Sequence, residues 1–281
     1  MSDDLQAQAE IDAGQRFAFG ANWTRFLADL DDARIADAES SLRQMLGVAD
    51  LRGKSFLDIG SGSGLFSLAA RRLGARVHSF DFDPRSVACT RELKRRYFAD
   101  DADWRVESGS ALDAGYVASL GTFDVVYSWG VLHHTGSMWS GLEIASGRVA
   151  SPTGKLFIAI YNDQGWKSRV WWVVKAFYNK LPAVLQSPFM HVFMGMVHFA
   201  ALIKHTLKGQ PMVVLGPLLR DSRERGMSAK HDAVDWIGGF PFEVATFEVL
   251  EAHFRARGFR LIQSTRTTSW GCNELVFERV G

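Results

Sequence analysis

The chain has 281 residues, 47% of them apolar, which is ample for one α/β domain with an elaboration. Lysine and arginine number 32 against 31 for aspartate and glutamate, a net charge of +1, so no global basic field exists to hold the protein on nucleic acid, and no nucleic-acid partner is expected. Cys89 and Cys272 form no CxxC pair, and the acidic start MSDDLQAQAEIDAG lacks a secretory signal pattern, so cytoplasmic residence is the expectation.

Residues 5–48 carry apolar side chains at helical spacing, among them Phe17, Phe26, Leu30, Ile35, Leu42 and Leu46, with Gly47 as a stop. Residues 1–53 therefore read as an N-terminal helical cap. From 54 onward short β-like runs alternate with helical ones: SFLDI, LFSLAARRL, RVHSF, SVACTRELKRRYF, WRVESG, FDVVYSW, MWSGLEIASGRVA and KLFIAIY. This alternation predicts βαβ units stacked into a parallel sheet over 54–162. The rhythm breaks over 163–240, an insertion read as helical, and resumes over 241–281 with a helix near 245–257, Gly258 as its stop, and strands FRLIQSTRT and NELVFERV. The expectation is a doubly wound, mostly parallel seven-stranded α/β sheet with a cap at its start and a helical insertion after the fifth strand.

The strongest local signal is Phe56-Leu57-Asp58-Ile59-Gly60-Ser61-Gly62-Ser63-Gly64, an apolar strand entering a glycine turn before a helix. Bare backbone lets a nucleoside ligand approach, and the helix N-terminus presents amides and positive dipole. The dinucleotide fingerprint has G-x-G-x-x-G, whereas Leu65 stands where its third glycine falls, so an NAD(P) site is disfavoured. The second strand ends in Asp81, seventeen positions beyond Gly64, where a carboxylate can accept both ribose hydroxyls.

With these motifs the sequence resembles the class I S-adenosylmethionine-dependent methyltransferases, in particular the ubiquinone-pathway and sugar or natural-product O-methyltransferases. The resemblance covers roughly 54–161 and 240–281. It implies that Gly60, Ser61, Gly62 and Gly64 hold the methionine moiety of the cofactor S-adenosylmethionine, converted to S-adenosylhomocysteine. Asp81 would bind ribose, Phe82 would pack on adenine, and Asp58 would orient the loop. Ser110 stands where many members carry Asp near the adenine amine, and adenine recognition would fall to Ser110 and the Ala111 amide. Ser128 and Trp129, ending the F-D-x-V strand, would offer backbone carbonyls. Segments D-W-x-G-G-x-P-F-E and G-C-N-E are similar to those of a family of bacterial methyltransferases that carry the same insertion.

Methyl transfer needs an acceptor lone pair held in contact and stripped of water, and a hydroxyl acceptor must lose its proton. His134, and secondarily His133, follow the fourth strand in V-L-H-H-T-G and are the candidate general bases. Tyr161 and Asn162 end the fifth strand, where ligand crevices of open sheets lie. His231, Asp235 and Trp236 belong to a polar and aromatic loop before the fold resumes, read as a substrate-side loop. An O-methyltransferase acting on a small molecule, polar or lipophilic, is expected, with an N-methyltransferase or a non-catalytic nucleoside-binding or membrane-associating scaffold as alternatives.

Leu181 to Ile203 contains no charged residue over 23 positions. Pro182, Gln186, Ser187 and Pro188 interrupt its first third, and His191, His198 and His205 line one side, so an amphipathic lid with peripheral membrane contact is expected rather than a spanning helix. His191 and His198 stand about 10 Å apart along a helix, too far to share a metal at about 2.1 Å from each, and no metal site is expected. The same apolar insertion is a candidate homodimer interface.

Overall fold

The computed structural model describes residues 9–11, 13–210, 212 and 236–280. Helices α1 (Phe19–Phe26) and α2 (Asp32–Leu46) precede the sheet. The Asp31 side chain accepts from the Arg34 amide at the start of α2, and Gly47 ends it in the left-handed region, so both ends follow from local sequence.

The core is a seven-stranded sheet in the order β3-β2-β1-β4-β5-β7-β6, made of β1 (Ser55–Ile59), β2 (Arg76–Asp81), β3 (Trp104–Ser108), β4 (Val125–Trp129), β5 (Lys155–Tyr161), β6 (Phe259–Thr265) and β7 (Cys272–Arg279). The first five strands of the chain pair in parallel, and β7 runs antiparallel to both β5 and β6. Helices α3 (Leu65–Arg72), α4 (Pro84–Tyr97), α5 (Ala114–Ser119), α6 (Met138–Ser146) and α9 (Phe247–Arg255) cover the faces. Their apolar sides form two separate cores, one with Phe56, Trp104 and Tyr127 at its centre and one with Leu57, Ile158 and Phe277. A doubly wound sheet buries both faces, which is why its strands read as nearly continuous apolar runs. The strand order reverses between β1 and β4, so a crevice opens at their carboxyl ends, where ligands bind in such folds.

The insertion after β5 carries α7 (Trp166–Lys180) and α8 (Ala183–Leu207), joined through Leu181 and Pro182. The sequence places a break in the first third of the apolar run, whereas α8 passes straight through Pro188. Pro188 is only the sixth residue of the helix, so its missing N–H and ring disturb little more than the first turns. A small satellite core of Tyr178, Met190 and Ile237, with Phe17 and Phe193 against it, ties the hairpin to the cap and to the returning chain.

Candidate functional site

The glycine loop leaves β1 and enters α3 directly above the sheet. Gly60 has φ +78°, and a Cβ there would sit 2.4 Å from Val131 Cγ1; only glycine meets both the left-handed backbone and the close approach. Its amide, with that of Ser61, donates to the Phe80 carbonyl, which clips the loop to the end of β2. The Gly62 amide donates to Asp81 Oδ2 at 2.9 Å, and the Asp83 amide donates to Asp81 Oδ1 at 2.9 Å. The Ser61 and Thr90 hydroxyls meet at 2.9 Å.

Beneath the loop lies a buried polar chain. The Ser67 hydroxyl donates to Asp58 Oδ2 at 2.5 Å, Ser67 and Ser79 hydroxyls meet at 2.6 Å, and the Trp104 indole N–H donates to Ser79 at 3.0 Å. These contacts fasten α3, β2 and β3 to the end of β1. Burial pushes the Asp58 carboxyl up to about 7; the Ser67 hydrogen bond opposes this and the nearby Asp81 charge reinforces it. Burial likewise raises Asp81 to about 6, against the Gly62 and Asp83 amides. Two carboxyls desolvated side by side suit a cationic or hydroxyl-rich ligand, because either restores the ionised form.

The glycine cradle and Asp81 therefore fit the nucleoside and amino-acid parts of S-adenosylmethionine, with Asp58 behind the loop. The Gly109 amide donates to the Asp81 carbonyl, bringing the turn of Ser110 and Ala111 beside β2; the Ser110 hydroxyl accepts from the Leu112 amide at 3.2 Å. Ser128, fully buried, donates through its hydroxyl to the Ile59 carbonyl at 3.0 Å. The Trp129 indole donates to Glu274 Oε1 at 3.0 Å, so its side chain serves the β4–β7 side. The N-terminal cap roofs this site: Trp23 lies against Gly62, the Arg16 guanidinium sits 4.9 Å from the Phe82 ring centroid, and the Gly20 amide donates to Asp83 Oδ2 at 2.8 Å.

Beside the loop, the short 3-10 turn Leu132–His134 presents two buried imidazoles. His133 lies 4.0 Å from the Tyr161 ring, ring centroid to ring centroid, and His134 lies 5.3 Å from it and 4.9 Å from Phe19. His134 Nδ1 is 2.6 Å from the Pro241 carbonyl. A carbonyl can only accept, so Nδ1 carries the hydrogen and Nε2 is left as the lone-pair nitrogen. Burial is the largest cause of a depressed pKa in both rings, with the Lys175 charge adding to it; His134 falls to about 3 and His133 falls well below its ordinary value. Both are neutral at physiological pH.

Lys175, on the inner side of α7, is fully buried. Its ammonium donates to the Trp236 carbonyl and lies over Trp236, Phe242 and Tyr161 at 4.7, 4.8 and 5.5 Å. Trp236 stacks on Trp270, and Trp171 stands edge-on to both. This box joins the insertion, the end of β5 and the returning chain in one aromatic wall. The structure thus brings His133, His134, Tyr161 and Trp236 together next to the loop. Asn162 turns to the other side, where its Oδ1 accepts from Asn273 Nδ2 at 3.0 Å. His231 and Asp235 lie outside the described residues. Sequence reading missed Arg16, Trp23, Lys175 and Trp270. Lys175 alone had a signal, since it falls on one side of α7 with Ser168, Trp171 and Tyr178.

The chain resembles known proteins in sequence and in fold. Residues 57–156 match a family model described as a methyltransferase domain. The chain is 35% identical over 113 residues to a ubiquinone biosynthesis O-methyltransferase of Xanthomonas oryzae pv. oryzae, covering 40% of this chain and 45% of that protein. It is 44% identical over 68 residues to a ribosomal protein L11 methyltransferase of Methylococcus capsulatus, covering 24% and 22%. The chain spans less than half the length of these relatives. Its fold is similar to that of magnesium protoporphyrin IX methyltransferase from Synechocystis PCC 6803 with bound SAM, with a TM-score of 0.56 at 11% identity over 99% of this chain and 98% of the other. Residues 57–156 thus carry the resemblance to a methyltransferase domain, within a fold similar to that of the Synechocystis enzyme.

Proposed function

We propose that the protein transfers a methyl group from S-adenosylmethionine to an oxygen of a small-molecule acceptor. The observation that carries this reading is the adjacency of the Gly60–Gly64 cradle and Asp81 to the packed cluster of His133, His134, Tyr161, Trp236 and Lys175. S-adenosylmethionine, when bound, supplies a methyl carbon activated by a sulfonium. The chain supplies position, exclusion of water and a place for a proton. The Gly62 amide fixes the Asp81 carboxylate, which accepts from the ribose hydroxyls. The cap residues Arg16 and Trp23 cover the cofactor, and the tryptophan and phenylalanine wall keeps water from the acceptor.

His134, with its Nδ1–H held by the Pro241 carbonyl, offers Nε2 to the acceptor hydroxyl. An imidazole depressed to about 3 is a weak base, so the hydroxyl should be acidic. A phenol or quinol, near pKa 10 like tyrosine, is favoured over a sugar alcohol, and the Lys175 charge near both imidazoles stabilises the developing anion. The name of the ubiquinone-pathway relative supports the same acceptor class. The weak basicity also favours a second reading, N-methylation, because a neutral amine presents its lone pair without prior proton loss. Cofactor protection against heat denaturation tests the frame: S-adenosylhomocysteine is expected to raise the melting temperature and NADPH is not. The reverse result would overturn it. Loss of turnover in His134→Ala supports the oxygen acceptor, and full retention supports the amine.

A further inference from the structure

The inner side of α7 (Trp166–Lys180) is explained by the aromatic box, but its outer side is not. Trp166, Val170, Val173 and Phe177 follow one another at intervals of four, three and four residues, one continuous face of a helix. They are exposed, Trp166 at 68%, Val173 at 60% and Phe177 at 53%. Helix α8 (Ala183–Leu207) repeats the spacing with Val192, Met196, Phe199 and Ile203 on its exposed side, and Phe199 is 64% exposed. The apolar residues of a water-facing helix normally point inward; in α7 Trp171, Lys175 and Tyr178 point inward, and a second apolar stripe points out.

The charges on the hairpin are of one sign. From Gln164 to Gln210 there is no aspartate or glutamate, while Lys167, Arg169, Lys180, Lys204 and Lys208 are exposed. Two copies of the chain meeting through this face would bring like charges together, which disfavours a second copy. An anionic surface with an apolar interior is complementary to both features. Residues Val184–Leu207 are long and apolar enough to cross a membrane by length and composition. Yet the first half of α8 is bound to the domain through Met190 in the satellite core and through Phe193 against Trp171, which opposes its leaving the domain to span a bilayer.

We infer that the α7–α8 hairpin docks side-on against an anionic lipid bilayer, with its apolar stripes in the headgroup boundary and its lysines and arginine against lipid phosphates. Because Trp171 and Lys175 line the acceptor side from the opposite face of α7, docking sets the site about one helix diameter, roughly 10 Å, from the lipid surface. An acceptor carried in the bilayer would then reach it without crossing water.

The test is sedimentation of the full chain with vesicles of phosphatidylcholine alone and of phosphatidylcholine containing phosphatidylglycerol. Binding is expected to the anionic vesicles, to weaken as salt shortens the range of the charges, and to be poor on neutral ones. Lys167→Gln with Arg169→Gln should lower partitioning about fivefold per residue. A variant carrying Trp166→Ser, Val173→Ser, Val192→Ser and Phe199→Ser should lower it more than about tenfold. Affinity for S-adenosylhomocysteine without vesicles should be unchanged in both. Equal binding to neutral and anionic vesicles, no binding to either, or binding indifferent to these substitutions would overturn the inference. So would a wild-type dimer that the serine variant converts to monomer while vesicles capture neither form. Failure to bind S-adenosylhomocysteine would instead count against the proposed function and leave the vesicle result standing.

Discussion

Replacing Asp81 by alanine separates the cofactor role of this carboxylate from its structural one. In the fold its two oxygens accept from the Gly62 and Asp83 amides, and deleting them leaves two donors that each cost about 1–3 kcal/mol if they find no water. Against this, burial raises the carboxyl from 3.8 to about 6, which at neutral pH is about 3 kcal/mol of stability the ionised group withholds. The two effects are of similar size and opposite sign, so Asp81→Ala should fold with stability within about 3 kcal/mol of the parent. The sign follows from a raised folded pKa: Asp81 contributes most below about pH 4, and that contribution is lost as pH rises through about 6; the variant should lack this loss. Cofactor binding has no such offset. Two ribose hydroxyls donating to a carboxylate are worth about 1.5–3 kcal/mol each, so affinity should fall by more than about a hundredfold. Titration calorimetry with S-adenosylhomocysteine at neutral pH, beside thermal denaturation of the free protein, reads both quantities. An Asp81→Ala protein with native melting and affinity within about threefold of the parent would refute the assignment of β2 as the ribose strand.

Three further outcomes follow from the same geometry. Gly60→Val places a Cβ against Val131 at a positive φ and should destabilise the protein by about 2–6 kcal/mol in chemical denaturation; native stability would contradict the close approach. His134 is neutral down to about pH 3, so kcat should show no break near pH 6.5 that His134→Ala removes, while that variant should lower kcat by about 100-fold or more if Nε2 takes the proton. Because the Lys175 charge lowers the His134 pKa, Lys175→Met should raise the imidazole titration midpoint followed by NMR, and an unmoved midpoint would rule out this charge effect.

The parts of the fold legible in sequence are those whose cause is local. The loop Gly60–Gly64 needs positive φ within a few residues of Asp58, the β-like runs must bury two faces, and Gly47 and Asp31 cap a helix by contacts within the same turn. The cofactor side could be read for this reason. The roof of the site could not, because Arg16 reaches the His134 carbonyl across 118 positions of chain and Trp23 reaches Gly62 from the cap; composition near Arg16 contains no trace of these partners. Lys175 shows the same limit in part. Its spacing with Ser168, Trp171 and Tyr178 puts it on the buried side of α7, but only the arrival of Trp236 and Phe242 from the far end of the insertion turns that side into an aromatic box. Pro188 misled in the other direction, since its cost depends on its distance from the helix start, which sequence places only loosely.

Methyl transfer to a small molecule is measured most directly by transfer of label. The full chain is incubated with methyl-labelled S-adenosylmethionine and a small-molecule extract of cells that make it, with Asp81→Ala as the control. Label is expected in the fraction extractable into organic solvent, at a level well above the control and with matching release of S-adenosylhomocysteine. Cofactor that binds but yields no labelled product above the Asp81→Ala control would contradict the account and leave a nucleoside-binding scaffold.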